Sequence, residues 1–210
     1  MAAHKTTTLE EIHSYLINQK TRTIYVNSES EYGTEGEEIG VGFHMAQRFI
    51  KNLDYLNSLN NQPITVKIAN CGGCWNFGMA MYDAMYQSPS EITTISYAHA
   101  RSMSSIIPQA ATKRLIMPSC DFMIHAGEYG DYGDTRKVFS GVDHYKLANK
   151  KMIEIYVERC INGPFAKEKK MTPAKLYNFI EKNMDKKVDW WMNAQEAVYY
   201  GFMDGIAGNE

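Results

Sequence analysis

Long apolar runs are missing from this sequence. The longest apolar cluster, residues 64–69, is strand-sized and carries Lys67, whereas a bilayer span needs about 18 consecutive apolar residues. No membrane-crossing segment is expected. The N-terminus, MAAHKTTTLEE, lacks the apolar core of a secretory signal. Cysteine is scarce, with four in 210 residues, which is too few for a disulfide scaffold. Without an export signal, these are expected to be reduced thiols in a cytoplasmic protein. Neither sign of charge is in excess: 22 Lys and Arg stand against 24 Asp and Glu, for a net charge of −2. That excludes a general binder of nucleic acid or anionic membrane, which needs a basic surplus. Internal repeats and low-complexity segments are absent as well.

What is present is an ordinary globular composition, 44% apolar and 22% charged, close to the average for soluble domains. A chain of this length can bury about 70% of its unfolded surface and folds without staples. The expected organisation is a short tail over residues 1–8 and one domain over residues 9–210. Loops are expected at residues 27–38 (NSESEYGTEGEE) and 127–134 (GEYGDYGD). Between them, strand and helix patterns alternate. Helices are predicted over residues 9–19, 40–59, 76–86, 102–111 and 137–160, from Thr172-Pro173 onward, and from Asn193 to Gly201. Strands are predicted over 23–26, 64–69, 92–97, 115–117, 122–124 and 202–206. Such alternation predicts an α/β fold with a mostly parallel sheet. In such sheets chemistry sits where strands turn into helices.

Three turns carry chemically useful residues. The first is Asn70-Cys71-Gly72-Gly73-Cys74. Two glycines free the backbone for positive φ and can leave amides exposed to an oxyanion. The same turn is also a Cys-x-x-Cys, the spacing of thioredoxin-like redox sites, and it can equally be a plain tight turn. The second runs from His99 to Ser105, where Ser102 opens a helix. A serine there is either an N-cap or a nucleophile favoured by the helix terminus, and the latter needs a base within reach. The third is His125, ending the strand Phe-Met-Ile-His. It is either a satisfied polar residue or that base. A Ser–His pair also calls for a carboxylate. Asp189, beside Trp190 and Trp191, is either that group or an ordinary surface residue.

Taken together, these segments resemble ClpP, the proteolytic subunits of Clp proteases. IANCGGCWNFGMAMYDAM resembles the family pattern Asn-Ser-Pro-Gly-Gly-Ser followed by Gly-Met-Ala-Ile-Tyr-Asp. ARSMSS resembles its Ala-Ala-Ser-Met-Gly-Ala turn, FMIH its Val-Met-Ile-His strand, and DWWMNAQEAVYYGFMDGI its closing stretch. The four motifs occur in the family's order at compatible spacings.

The resemblance implies a ClpP/crotonase-like spiral of strand–helix units with a protruding handle helix at about residues 137–160. It implies a serine endopeptidase with Ser102 as nucleophile, His125 as general base and Asp189 as orienting carboxylate. The backbone N–H groups of Gly73 and Met103 match the oxyanion hole, and Gly72 and Gly127 match the segments that pair an extended peptide substrate. No metal and no cofactor of its own are implied. Peptide or protein substrates are expected, cleaved inside a homo-oligomer of stacked heptameric rings, with neither nucleic acid nor membrane as partner. A Clp-type ATPase unfoldase is the implied partner and the only route for ATP. About eight residues precede the first helix here, fewer than in the family's axial segment, which weighs against that coupling. Arg101 replaces a small residue before the nucleophile and is expected to charge the substrate pocket, while Ser104 replaces a glycine. Three other readings stand beside this one: a catalytically weak scaffold of the same fold, a thiol–disulfide oxidoreductase using Cys71 and Cys74, and a crotonase-type CoA enzyme, which would not need Ser, His and Asp at these three turns.

Overall fold

A computed structural model describes residues 7–27 and 38–208 of the chain. Residues 28–37 of the predicted loop and most of the predicted tail lie outside the described residues. The elements run α1 (Thr8–Tyr15), β1 (Ile17–Asn18), β2 (Thr23–Asn27), α2 (Phe43–Leu59), β3 (Ile64–Asn70), α3 (Trp75–Tyr86), β4 (Ile92–Arg101), α4 (Met103–Ile106), a 3₁₀ turn (Ile107–Ala110), β5 (Lys113–Ile116), β6 (Asp121–His125), α5 (Thr135–Cys160), α6 (Pro164–Glu168), α7 (Pro173–Lys187), β7 (Asp189–Met192), α8 (Ala194–Tyr200) and β8 (Gly205–Ile206). No described helix is long and apolar enough to cross a membrane.

The architecture is mixed α/β. The sheet is ordered β1-β2-β3-β4-β5-β8, with β6 and β7 branching from β4. All pairs are parallel except β1–β2 and β6–β7. The branch is built into β4. Its residues Thr93–Ser96 pair β5, while His99–Arg101 pair β6. Between the two halves, Ala98 takes a φ of 50°, and β4 advances from Ser96 to Ala100 while β3 advances only from Ile68 to Asn70. This bulge re-aims the end of β4 toward β6. The predicted strand stops at Tyr97; the true one continues to Arg101 and delivers the next residue, Ser102, to the β6 side.

Packing follows the sequence pattern. In β3 every second residue is buried, Ile64, Val66, Ile68 and Asn70, as expected for a strand with one core face. In α2 the buried stripe is Ala46, Phe49, Leu53 and Leu56, at helical spacing. Phe43, also expected in that stripe, is half exposed. The helix starts at Phe43 and not at Gly40 because Val41 is extended and bridges Gly73. A Cβ on Gly40 would lie 2.8 Å from the Gly72 carbonyl oxygen, so only glycine fits.

Several elements differ from the sequence expectation. α1 ends at Tyr15, because Leu16 turns left-handed at φ 56° and frees Ile17–Asn18 to pair β2. The helix expected over 102–111 is a single α-turn followed by the 3₁₀ turn, with Pro108 unable to continue an α-helical ladder. β7 and α6 have no counterpart among the predicted elements. β8 is only two residues long. The long α5 stands as expected, capped by Asp134, whose carboxylate accepts the Arg136 N–H at 2.9 Å. Its first buried residue is Met152 and its first contacts to the cleft come at Tyr145, so the turns before Tyr145 project from the body.

Candidate active site

Three adjacent strands each bring one polar residue to the same end. Ser102 follows β4, His125 closes β6, and Asp189 opens β7. The β6–β7 ladder sets His125 directly opposite Asp189, the distance at which cross-strand side chains meet. The Ser102 N–H donates to the Met123 carbonyl at 2.9 Å, tying the turn to β6.

The side chains complete the arrangement. Ser102 Oγ lies 2.8 Å from His125 Nε2, and His125 Nδ1 lies 3.3 Å from Asp189 Oδ1. With the Nδ1 proton facing the carboxylate, Nε2 is the acceptor and the serine hydroxyl the donor. The Nδ1–carboxylate contact is the longer of the two. Ser102 makes no side-chain cap to its helix among the described residues, so its hydroxyl is spent on the histidine. The backbone at Ser102 has φ 51° and ψ −125°, a conformation costly for any residue with a Cβ. Such strain concentrates at sites where a side chain must be presented sharply. Val188, just before Asp189, also has a positive φ, 62°.

The glycine turn packs against this serine. A Cβ on Gly72 would lie 2.6 Å from Ser102 Cβ, and one on Gly73 would lie 2.4 Å from the Val41 amide nitrogen. The Val41 N–H donates to the Gly72 carbonyl at 2.6 Å, and the Cys74 N–H donates to the Val41 carbonyl at 2.8 Å. In this parallel bridge the N–H and C=O of Gly73 point away from Val41, and Gly73 lines the same cleft as Ser102. The Met103 N–H, first in α4, has no acceptor among the described residues. Gly73 and Met103 both line the cleft of Ser102, and neither backbone N–H has an acceptor among the described residues.

Two expectations change. The Gly72 N–H donates to Asn70 Oδ1 at 2.9 Å and its carbonyl accepts from Val41, so Gly72 has no N–H left for a substrate strand. Gly127, at φ 78°, lies across the cleft, but its carbonyl accepts the Tyr145 hydroxyl at 2.9 Å. Arg101 does not charge the cleft. It donates to Asp121 Oδ2 at 2.7 Å and stacks over Trp191.

The cleft beside Ser102 has a volume of about 530 Å³ and is lined by Trp75, Ile106, Met123 and Met152, with Asn149 and Cys74 among its polar groups. An extended side chain fits such a space. Cys71 is partly buried, and burial first, then the charge of Glu38, pushes its thiol pKa up. A redox cysteine needs the opposite shift, and nothing in the site favours the oxidoreductase alternative.

Residues 36–210 match the family model described as Clp protease. The chain belongs to the Clp protease family. Among its relatives, an ATP-dependent Clp protease proteolytic subunit of Chlorella vulgaris is 30% identical over 166 residues, covering 78% of this chain and 75% of the relative. One from Streptococcus salivarius is 28% identical over 171 residues, covering 79% and 80%. The fold also matches the structure of a ClpP1 point mutant from Listeria monocytogenes, with a TM-score of 0.72 over 91% of this chain and 94% of that one, at 21% identity. The ClpP-like spiral anticipated from the motifs is thus the fold of the chain.

Sequence reasoning missed the residues that hold this Clp-family site in shape. Asn70, Ser104, Ser105 and Tyr156 make its internal hydrogen bonds, and all four are fully buried. Their signal was available in part. Asn70 stands where the alternation of β3 calls for an apolar residue.

Proposed function

We propose that the chain is a ClpP-like serine endopeptidase whose nucleophile is Ser102. The observation that carries this reading is the 2.8 Å contact between Ser102 Oγ and His125 Nε2, with His125 backed by Asp189 and with the Gly73 and Met103 backbone donors in the same cleft. Ser102 Oγ attacks a peptide carbonyl while His125 Nε2 takes its proton. The Gly73 and Met103 N–H groups receive the oxyanion. His125 then protonates the leaving amine, and a water, deprotonated by the same histidine, releases the acyl group. Asp189 holds the imidazole tautomer throughout.

The Gly73 carbonyl on one side, its N–H being committed to the oxyanion, and the segment at Gly127 on the other are the edges to which an extended peptide would pair. Residues 9–210 act as one peptidase domain, with no metal or cofactor of its own. The N-terminal half of α5, carrying exposed Phe139 and Leu147, supports assembly into stacked heptameric rings, since such apolar surface drives association. A Clp-type ATPase is the partner that would feed an assembled chamber. Four free cysteines fit reducing, cytoplasmic surroundings. Labelling with a fluorophosphonate probe, with and without Ser102→Ala, tests the reading: labelling should vanish in the variant. Undiminished labelling, or its loss with Ser104→Ala in place of Ser102→Ala, would sink it.

A further inference from the structure

Asn70 occupies a core-facing position at the end of β3, where the preceding core-facing residues are Ile64, Val66 and Ile68. Its side chain is fully buried. A buried carboxamide is costly unless its hydrogen bonds are made, and these run to both halves of the site. Oδ1 accepts the Gly72 N–H at 2.9 Å, within the glycine turn. The same oxygen accepts the Ser104 hydroxyl at 2.9 Å, from the helix that Ser102 opens. Nδ2 donates to the Ile39 carbonyl at 3.0 Å. One oxygen atom therefore joins the turn bearing the Gly73 N–H to the turn bearing the Met103 N–H.

We propose that Asn70 and Ser104 are positioning residues that set the spacing of the two oxyanion donors. This rests on the reading of Ser102 as nucleophile. Each bonded residue is the immediate neighbour of a donor: Gly72 precedes Gly73, and Ser104 follows Met103. The two turns touch already, since Gly72 has no room for a Cβ against Ser102. Contact alone sets a minimum separation. A shared acceptor with two lone pairs also sets a maximum and an orientation. The oxyanion forms only as the carbonyl carbon becomes tetrahedral, so a spacing error is felt in the transition state more than in substrate binding. Ser104 is fully buried and bonded to Asn70, which also removes it as a rival nucleophile.

The choice of amide over acid follows from the same geometry. An Asp at position 70 keeps an acceptor for Gly72 and Ser104, but only its neutral form can donate to Ile39 as Nδ2 does. Burial favours that neutral form. Ionised, it would face the Ile39 carbonyl and place negative charge beside the developing oxyanion.

The test compares Ser104→Ala, Asn70→Ala, the double variant and Asn70→Asp in the full-length chain. Readouts are kcat and KM on a peptide ester, the affinity of a peptide boronate and the melting temperature. Ser104→Ala is expected to lower kcat about tenfold, a fraction of the loss from removing an oxyanion donor outright, with KM within twofold. Boronate affinity should fall in parallel, because the tetrahedral adduct needs the same donors. The double variant should cost little more than Asn70→Ala, as for residues acting through one contact. For Asn70→Asp, the ratio of its kcat to the parent's should decline as pH rises, a signature no packing defect produces. If Ser104→Ala lowers the melting temperature but leaves kcat and boronate affinity within twofold, the pair is structural only and the proposal is overturned. Should the Asn70 variants fail to fold, Ser104→Ala decides alone. Loss of all labelling in Ser102→Ala, alongside an unaffected Ser104→Ala, would overturn this inference while leaving the peptidase reading intact.

Discussion

The guanidinium of Arg101 lies 4.9 Å from the centre of the Trp191 ring and donates to Asp121 at 2.7 Å. One side chain on β4 thereby touches β6 and β7, the three strands that deliver Ser102, His125 and Asp189. Arg101→Ala removes an exposed ion pair and a cation–π contact, together about 1 kcal/mol. The melting temperature should fall by about 2–4 °C. Trp191 emission should shift, and kcat should drop, because β7 loses a tie to β4. An unchanged kcat would mean that the ladder alone fixes Asp189.

His125 and Asp189 are expected to act as one unit with Ser102. Residues in such a unit are strongly non-additive. The kcat/KM losses of His125→Ala, Asp189→Asn and their double variant should therefore be similar. If the two single losses multiply in the double, Asp189 works elsewhere.

Thiol reactivity gives an independent reading of the cleft. Cys74 is exposed and Cys71 partly buried, with the Cys71 thiol pushed up by burial and by Glu38. Iodoacetamide should modify Cys74 first near neutral pH, and Cys71 only as the pH is raised. Cys120, pushed up to about 12 by burial and by Asp121, should stay unmodified in the folded chain. Mass spectrometry of peptides checks the order. Fast early labelling of Cys71 would place it in a different environment.

Acid stability should depend on Asp204. Burial alone would raise its pKa, but the hydrogen bonds and charge of Arg114 outweigh this and hold it below the usual carboxylate value. Arg114 is buried and donates to Asp204 from its backbone N–H at 2.8 Å and from Nε at 3.0 Å. A depressed folded pKa gives stability that is present above the unfolded value, about 4, and lost as pH falls through the folded value. Asp204→Asn should cost about 2–3 kcal/mol at neutral pH, less than for a fully enclosed pair because Asp204 keeps some water contact. The cost should shrink in acid. Urea unfolding at pH 7 and pH 3 measures both, and a cost independent of pH would refute the linkage.

Val188 is a β-branched residue held at φ 62°, ψ −69°, and it is largely exposed. Strain of this kind costs about 1–3 kcal/mol, while glycine's extra chain entropy costs about 1 kcal/mol. Val188→Gly should leave the melting temperature unchanged or slightly higher, and should lower kcat by loosening Asp189. A clear fall in melting temperature would show that the valine side chain stabilises the fold.

Much of this was readable from residue order. The alternation in residues 64–69, the stripe in α2 and the Thr172-Pro173 start of α7 reflect burial and capping, which act locally. The glycine pair, Ser102 and His125 stood out because each sits where a predicted strand or helix begins or ends, and Asp189 because two tryptophans flank it. What escaped depends on distant partners. Residues 189–192 carry no predicted element because their pairing with β6 bridges more than sixty intervening residues, although two adjacent tryptophans favour a strand. The continuation of β4 past Tyr97 rests on a bulge at Ala98, a residue with no local preference for positive φ. The engagement of Gly72 by Asn70 and Val41 likewise could not be counted before the turn was closed. Arg101 was misplaced because its direction depends on Trp191.

The N-terminal half of α5 has a thermodynamic consequence. No residue before Met152 in that helix is buried, so those turns are held mainly by their own ladder, the Asp134 cap and the Tyr145 contacts to Ala126 and Gly127. Helices of that length are marginal in water without a packing partner. In a dilute chain the amides of this segment should exchange with solvent at rates set by local fraying, far faster than those beyond Met152. Whatever covers the helix supplies the missing burial, and its binding energy is drawn on to complete the folding of the segment. For these turns, becoming ordered and acquiring a neighbour are one equilibrium. The lowest concentration at which the helix stands firm is then a property of the contact and not of the chain alone.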